Sequence, residues 1–147
     1  MKDILPHIAG AAKLTEIFGC WPSFHDAEVL SLSLDRPDEE HLPLPTITLL
    51  FEVWEMTREV NSRGVFVCRK HTRVTMKFTD AEGIDLRGFN HQNVIFGLGV
   101  ELRSPVAPSA QGFIVTLEPV FGLSGQFECG RIEVVEAVPF VPKSAAA

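Results

Sequence analysis

Hydrophobic periodicity changes once along this chain, from a helical spacing to strict alternation, and the change falls between Gly19 and Glu28. Before it, Ile4, Ile8, Ala11, Leu14 and Phe18 recur at intervals of three and four, which predicts a helix over residues 4–18. Asp3 is the expected N-cap, and Pro6 fits only in a first turn. Gly19 stands where a helix ends on a left-handed residue, and Pro22 forbids continuation. After the change, apolar and polar residues alternate in one segment after another. In Glu28–Leu34, Leu30, Leu32 and Leu34 share one face, with Val29, Ser31 and Ser33 on the other. Further strands are expected at 47–53, 65–68, 74–78, 84–86, 94–102, 113–117, 125–129 and 132–138. Gly97 and Gly99, opposite the apolar face of the 94–102 segment, point to a bulge or to close approach of another backbone. Residues 55–63 read as a polar connection, and 35–45 and 104–112 as loops. A strand with one apolar face must bury it against another layer. Many short strands behind one helix therefore predict an α+β domain, mainly an antiparallel β-sheet, sandwich-like, with one N-terminal helix. No β-α-β alternation, dinucleotide fingerprint or phosphate-binding loop is present.

With 147 residues the chain is expected to be a single domain, 1–147, large enough to bury a core without staples. Phenylalanine (11) replaces tyrosine (0), which favours a dry aromatic core because a phenyl ring has no polar tip to satisfy. The formal charge of −6 lacks the basic footprint that phosphate binding requires, so nucleic acid is not an expected partner. Cys20, Cys68 and Cys129 are odd in number and far apart, which argues against a disulfide framework or a zinc cage and for reduced thiols. Asp3, Pro6 and His7 interrupt any signal-peptide core, and no apolar run approaches the ~20 residues that span a bilayer, so a cytoplasmic protein is expected.

The polar block Trp21-Pro22-Ser23-Phe24-His25-Asp26-Ala27-Glu28 sits at the change of period. Asp26 and Glu28 are in phase with Leu30, Leu32 and Leu34, so an early strand start would place both carboxylates on the apolar face, either as a recessed acidic pocket or as a structural network. His25 points the other way, as a contact or a structural histidine. A second polar block, Phe89-Asn90-His91-Gln92-Asn93, offers Asn90, His91 and Asn93 as a recognition loop or as plain turn chemistry. Trp54 is out of phase with Ile47–Val53 and is expected either on an exposed binding surface or in a small second core under the helix. The basic stretch Arg69–Arg73 with Lys77 reads as a charged edge strand, or as cations held by Asp26 and Glu28. His25, Asp26, Glu28, His71 and His91 are metal-ligand types, but no two histidines share a ligand spacing, so neither metal nor other cofactor is expected. No nucleophile elbow is present, and no catalytic residue is assigned.

Gly19-x-Trp21-Pro22-Ser23-Phe24-His25-Asp26-Ala27-Glu28, Phe89-Asn90-His91-Gln92-Asn93 and Gly122-Leu123-Ser124-Gly125 together resemble the immunity protein 50 family of bacterial polymorphic-toxin systems. The likeness runs from the first helix to the last strand. It implies a non-enzymatic protein that neutralises a cognate toxin by direct binding, and a basic toxin would suit the acidic balance. Two alternatives stand beside it: a metal-dependent hydrolase built on His25, Asp26, Glu28 and His91, and a structural subunit of a constitutive complex. His25, Asp26, Glu28, Trp54, Asn90, His91 and Asn93 are the candidate partner-binding residues on the reading of the side chains themselves.

Overall fold

The computed structural model describes residues 3–37, 44–103 and 112–142, so most of the two loops expected near 35–45 and 104–112 lies outside the described residues. The strands are β1 (Ile8–Ala9), β2 (Glu28–Asp35), β3 (Thr46–Val60), β4 (Phe66–Thr79), β5 (Glu82–Arg87), β6 (Val94–Arg103), β7 (Gly112–Phe121), β8 (Ser124–Cys129) and β9 (Arg131–Pro139), with one helix, α1 (Ala12–Phe18). Among the described residues they make a nine-stranded sheet in the order β1-β9-β4-β3-β2-β6-β7-β8-β5. Every pairing is antiparallel except that of β1 with β9. The α+β class with a dominant antiparallel sheet is therefore as expected.

The sandwich-like core comes from one sheet folded over on itself. Phe78 of β4 and Phe127 of β8 are separated by four strands in the sheet order, yet their rings meet edge-on at 5.0 Å. Ile47, Leu49, Phe51 and Val53 of β3 and Val74, Met76 and Phe78 of β4 share one buried cluster with Val115, Leu117, Phe127 and Cys129 of β7 and β8. Each such side chain withdrawn from water stabilises the fold by roughly 1.5–3 kcal/mol before entropy is charged.

The N-terminal segment departs from the expected helix over 4–18. Leu5–His7 forms a single 3-10 turn, Ile8–Ala9 joins β9, and α1 begins only at Ala12. Gly10 causes the break: it is left-handed (φ 73°), and a Cβ there would collide with the Val134 carbonyl. Ala11, not Asp3, occupies the N-cap, while Gly19 ends the helix at φ 78° with its N–H on the Thr15 carbonyl, as its position predicts. Most of the 55–63 stretch is not a connection. Only 61–65 turn, at Gly64; residues 55–60 continue β3 to Val60, and with β4 they make a hairpin arm that runs past the last β2 and β9 partners, Glu52 and Thr72. The basic stretch Arg69–Arg73 is correspondingly not an edge strand, because β4 lies between β3 and β9.

The two halves of the folded sheet are joined along a narrow seam. β2 and β6 share a single ladder pair, Glu28 with Val94, extended by the N–H groups of Asp26, Ile95 and Val29 donating to Ile95, Ala27 and Asn93 carbonyls at 2.8–3.0 Å. Phe24 (φ 57°) and Asp26 (φ 63°) both take left-handed backbone here. Aspartate tolerates that region and phenylalanine does not, so the Phe24 ring, 1% exposed and edge-on to Phe51 at 5.2 Å, must hold its own strained backbone in place.

A candidate binding face at the sheet seam

A β-bulge decides where the carboxylates point. Register shifts between Val29 and Ser31, so Leu30 is the extra residue. Val29 pairs with Phe51 on the core side, and Glu28 pairs with Glu52 on the outward side. The expected parity, with Asp26 and Glu28 on the apolar face, is thereby overturned. Leu34, beyond the bulge, is 54% exposed at the strand end.

Glu28 lies in a row of cross-strand partners that crosses six strands: Val138, Arg73, Glu52, Glu28, Val94 and Phe121. Cross-strand partners share a face, and the adjoining Val74, Phe51, Val29 and Ile95 are all buried, so this row is the outward face. A second row of aromatic side chains runs beside it. Phe140 meets His71 at 5.7 Å, His71 meets Trp54 at 5.9 Å, and His25 meets Phe96 at 4.9 Å. Further along, His91 packs on Phe121 at 5.9 Å.

Trp54 divides two cavities in this face. One, about 400 Å³, is lined by Phe18, Cys20, Pro22, His25, Trp54 and Met56. The other, about 610 Å³, is lined by Asp26, Glu52, Trp54, Phe66, His71 and Phe140, among others. Trp54 is thus neither fully exposed nor part of a second core under the helix: it is half-buried as the shared wall. The cations of the Arg69–Arg73 stretch are spent on β3 rather than on Asp26 and Glu28. Arg73 pairs with Glu52 at 3.1 Å, Lys70 with Glu55 at 2.9 Å, and Arg69 with Glu59. Asp26 is partnered by its neighbour His25 at 3.2 Å. Glu28 forms no ion pair among the described residues.

The candidates therefore separate into two groups. His25, Asp26 and Trp54 come together around the cavities, and Glu28 stands beside Glu52 on the same face. Asn90 and His91 sit exposed in the 88–93 loop, at the Phe121 end. Asn93 is a correction: it is 2% exposed and its amide is consumed internally, so it presents nothing to a partner. Its Oδ1 accepts from the Asn90 and Leu123 N–H groups at 2.9 and 3.1 Å, and its Nδ2 donates to the Asn90 and Val29 carbonyls at 2.9 and 3.3 Å. Gly122 makes this possible, since a Cβ there would lie 2.6 Å from Asn93 Oδ1 and closer still to the Gln92 carbonyl. The second and third sequence blocks thus meet at Asn93, which also ties the 122–125 turn to Val29, the residue that follows the first block.

Met56, Phe66, Phe96 and Phe140 are surface residues that the sequence reading passed over. Phe96 is 54% exposed, because β6 shifts register on either side of Ile95 and breaks the alternation that would have buried it. The bulge signalled by Gly97 was the available clue. Among the described residues, no three His, Cys, Asp or Glu side chains converge as metal ligands, and His91 lies at the Phe121 end, apart from His25 and Asp26. No helix among the described residues is long and apolar enough to cross a membrane.

No curated protein and no solved structure matches this chain. A family model does, over residues 10–139, which takes in α1, all three sequence blocks and β2 through β9. On that match the chain belongs to the immunity protein 50 family.

Proposed function

We propose that this protein neutralises a cognate bacterial toxin of a polymorphic-toxin system by binding it, without turning over any substrate. The observation that carries the reading is the outward face at the seam. It gathers half-buried aromatic side chains and two adjoining cavities on the outer side of the sheet, the make-up of a surface that binds by packing. Membership of an immunity-protein family supports the same reading. Occluding a toxin needs complementary shape and charge, and needs no proton transfer or nucleophile. The net charge of −6 suits a basic toxin, since an acidic surface speeds encounter with a cationic partner. The protein acts in the cytoplasm of the cell that must be protected, and neither nucleic acid nor membrane is its target.

Co-expression with the product of an adjacent toxin-encoding reading frame tests this. Cells should survive toxin induction only when this protein is present, and the two should co-purify. Equal killing with and without it would exclude neutralisation of that toxin.

A further inference from the structure

The geometry points to a particular docking chemistry, and it rests on the binding reading above. We propose that the outward face of β4-β3-β2-β6 takes a basic, apolar segment of the partner protein. A partner arginine or lysine lodges beside Asp26 and Glu28 against Trp54, and an apolar side chain enters the cavity lined by Phe18, Pro22 and Met56.

Charge complementarity argues for the cation. Glu28 and Glu52 stand directly opposite on neighbouring strands, an arrangement that like charges disfavour. Arg73 relieves Glu52 only, and its guanidinium is also held 4.8 Å above the Phe140 ring. Lys70 and Arg69 are engaged by Glu55 and Glu59. What is left over at the centre of the face is the charge of Glu28 and of Asp26, which meets no lysine or arginine among the described residues and touches only the His25 imidazole. Trp54 supplies the aromatic wall of the cavity that Asp26 lines. A guanidinium or ammonium group meets both needs at once, stacking on the indole while bonding a carboxylate. An acidic segment, or a nucleic acid, would be repelled at the same point.

Exposed apolar area argues for the second anchor. Met56 and Phe66, 52% and 53% exposed, line the cavities, and Phe96, 54% exposed, packs on His25 of the first. Met56 adapts to irregular apolar guests. Both cavities share Trp54 and Met56 as walls, so the basic and apolar anchors must be close neighbours on the partner.

The test uses Trp21→Phe protein, which retains Trp54 as its sole tryptophan. Two peptides are titrated against it, one alternating Leu and Arg and one alternating Leu and Glu, with Trp54 fluorescence as the readout. The Leu-Arg peptide should give a saturable change, with half-saturation raised at least tenfold by Asp26→Asn/Glu28→Gln. Both substitutions are near-isosteric, and asparagine tolerates the left-handed backbone at position 26. Asp85→Asn/Glu128→Gln removes the same charge from β5 and β8, strands outside the proposed face, and should shift half-saturation less than twofold. Equal response to both peptides, or equal loss from both variant pairs, would overturn the proposal. Co-expression then separates the two readings. Full protection by Asp26→Asn/Glu28→Gln would overturn the docking face and leave neutralisation intact. Lack of protection by the wild type would remove neutralisation, and the peptide titration would still decide the face.

Discussion

Replacing Asn93 by alanine removes four hydrogen bonds from the place where β2, the 88–93 loop and the 122–125 turn meet. Their loss is unequal. The two Asn90 groups lie on an exposed residue and can turn to water. The Leu123 N–H and the Val29 carbonyl belong to residues 0% and 1% exposed, and water cannot reach them without opening the seam. A buried polar group stripped of its partner costs about 1–3 kcal/mol, so the two together cost about 3 kcal/mol. For a domain of this size each kcal/mol lowers Tm by about 2–4 °C, so Asn93→Ala should melt roughly 6–12 °C below the wild type. Asn90→Ala is the contrast. Its side chain bonds the Gly88 carbonyl and the Gln92 N–H at an exposed site, so its loss should cost under about 1 kcal/mol. Urea unfolding followed by far-UV circular dichroism reads both, with the denaturant slope unchanged. If Asn93→Ala loses less than about 1 kcal/mol, or no more than Asn90→Ala, the account of Asn93 as the tie across the seam is wrong. Below its midpoint, folded Asn93→Ala should bind a partner as the wild type does, because the residue lies under the face and not on it.

Gly122→Ala should destabilise by more than about 3 kcal/mol in the same assay, because it adds a steric clash to a left-handed backbone, whereas Gly64→Ala, left-handed with open space around it, should cost only about 1 kcal/mol; similar costs at both positions would contradict the packing of Gly122 on Asn93. Burial pushes the Cys129 thiol up to about 12 from its ordinary 9.0. Above pH 9 the unfolded chain therefore releases a proton that the folded chain keeps, and stability should fall by up to about 1.4 kcal/mol per pH unit toward pH 12. Cys129→Ala should flatten that slope in urea melts run from pH 8.5 to 11, and an unchanged slope would refute the assignment. In the native protein at pH 8 a thiol-disulfide reagent should label exposed Cys20 quickly and Cys129 only on unfolding. Within the described part of β3 and β4, amide exchange should be faster in the arm from Met56 to Phe66, where among the described residues these strands pair only with each other, than at Val74–Phe78 in the core; protection of the arm equal to that of the core would show that something further packs on it.

Period-two alternation and the lone N-terminal helix were legible without coordinates, since a half-buried strand has to alternate and a helix has to end at a residue such as Gly19. So was the importance of Trp21–Glu28, because a histidine and two carboxylates crowded at an element boundary must be placed somewhere particular. The face on which those carboxylates sit was not legible. It turns on one extra residue at Leu30, and a bulge inverts the parity of every side chain on one side of it while leaving the local pattern intact. The same limit hid Phe96, displaced by a register shift, and the hairpin arm, whose residues 55–60 are mostly polar while still in strand β3.

Local chemistry alone therefore determined most of the strand segments, where the helix stops, and which residues belong together in the motif. Tertiary structure alone decided that the sheet folds back on itself, that Asn93 is a tie and not a contact, and that Trp54, His25 and Asp26 share one outward surface. Sequence periodicity records how each segment meets water. The partners across a seam are set by register and by backbone bends, which depend on residues tens of positions away.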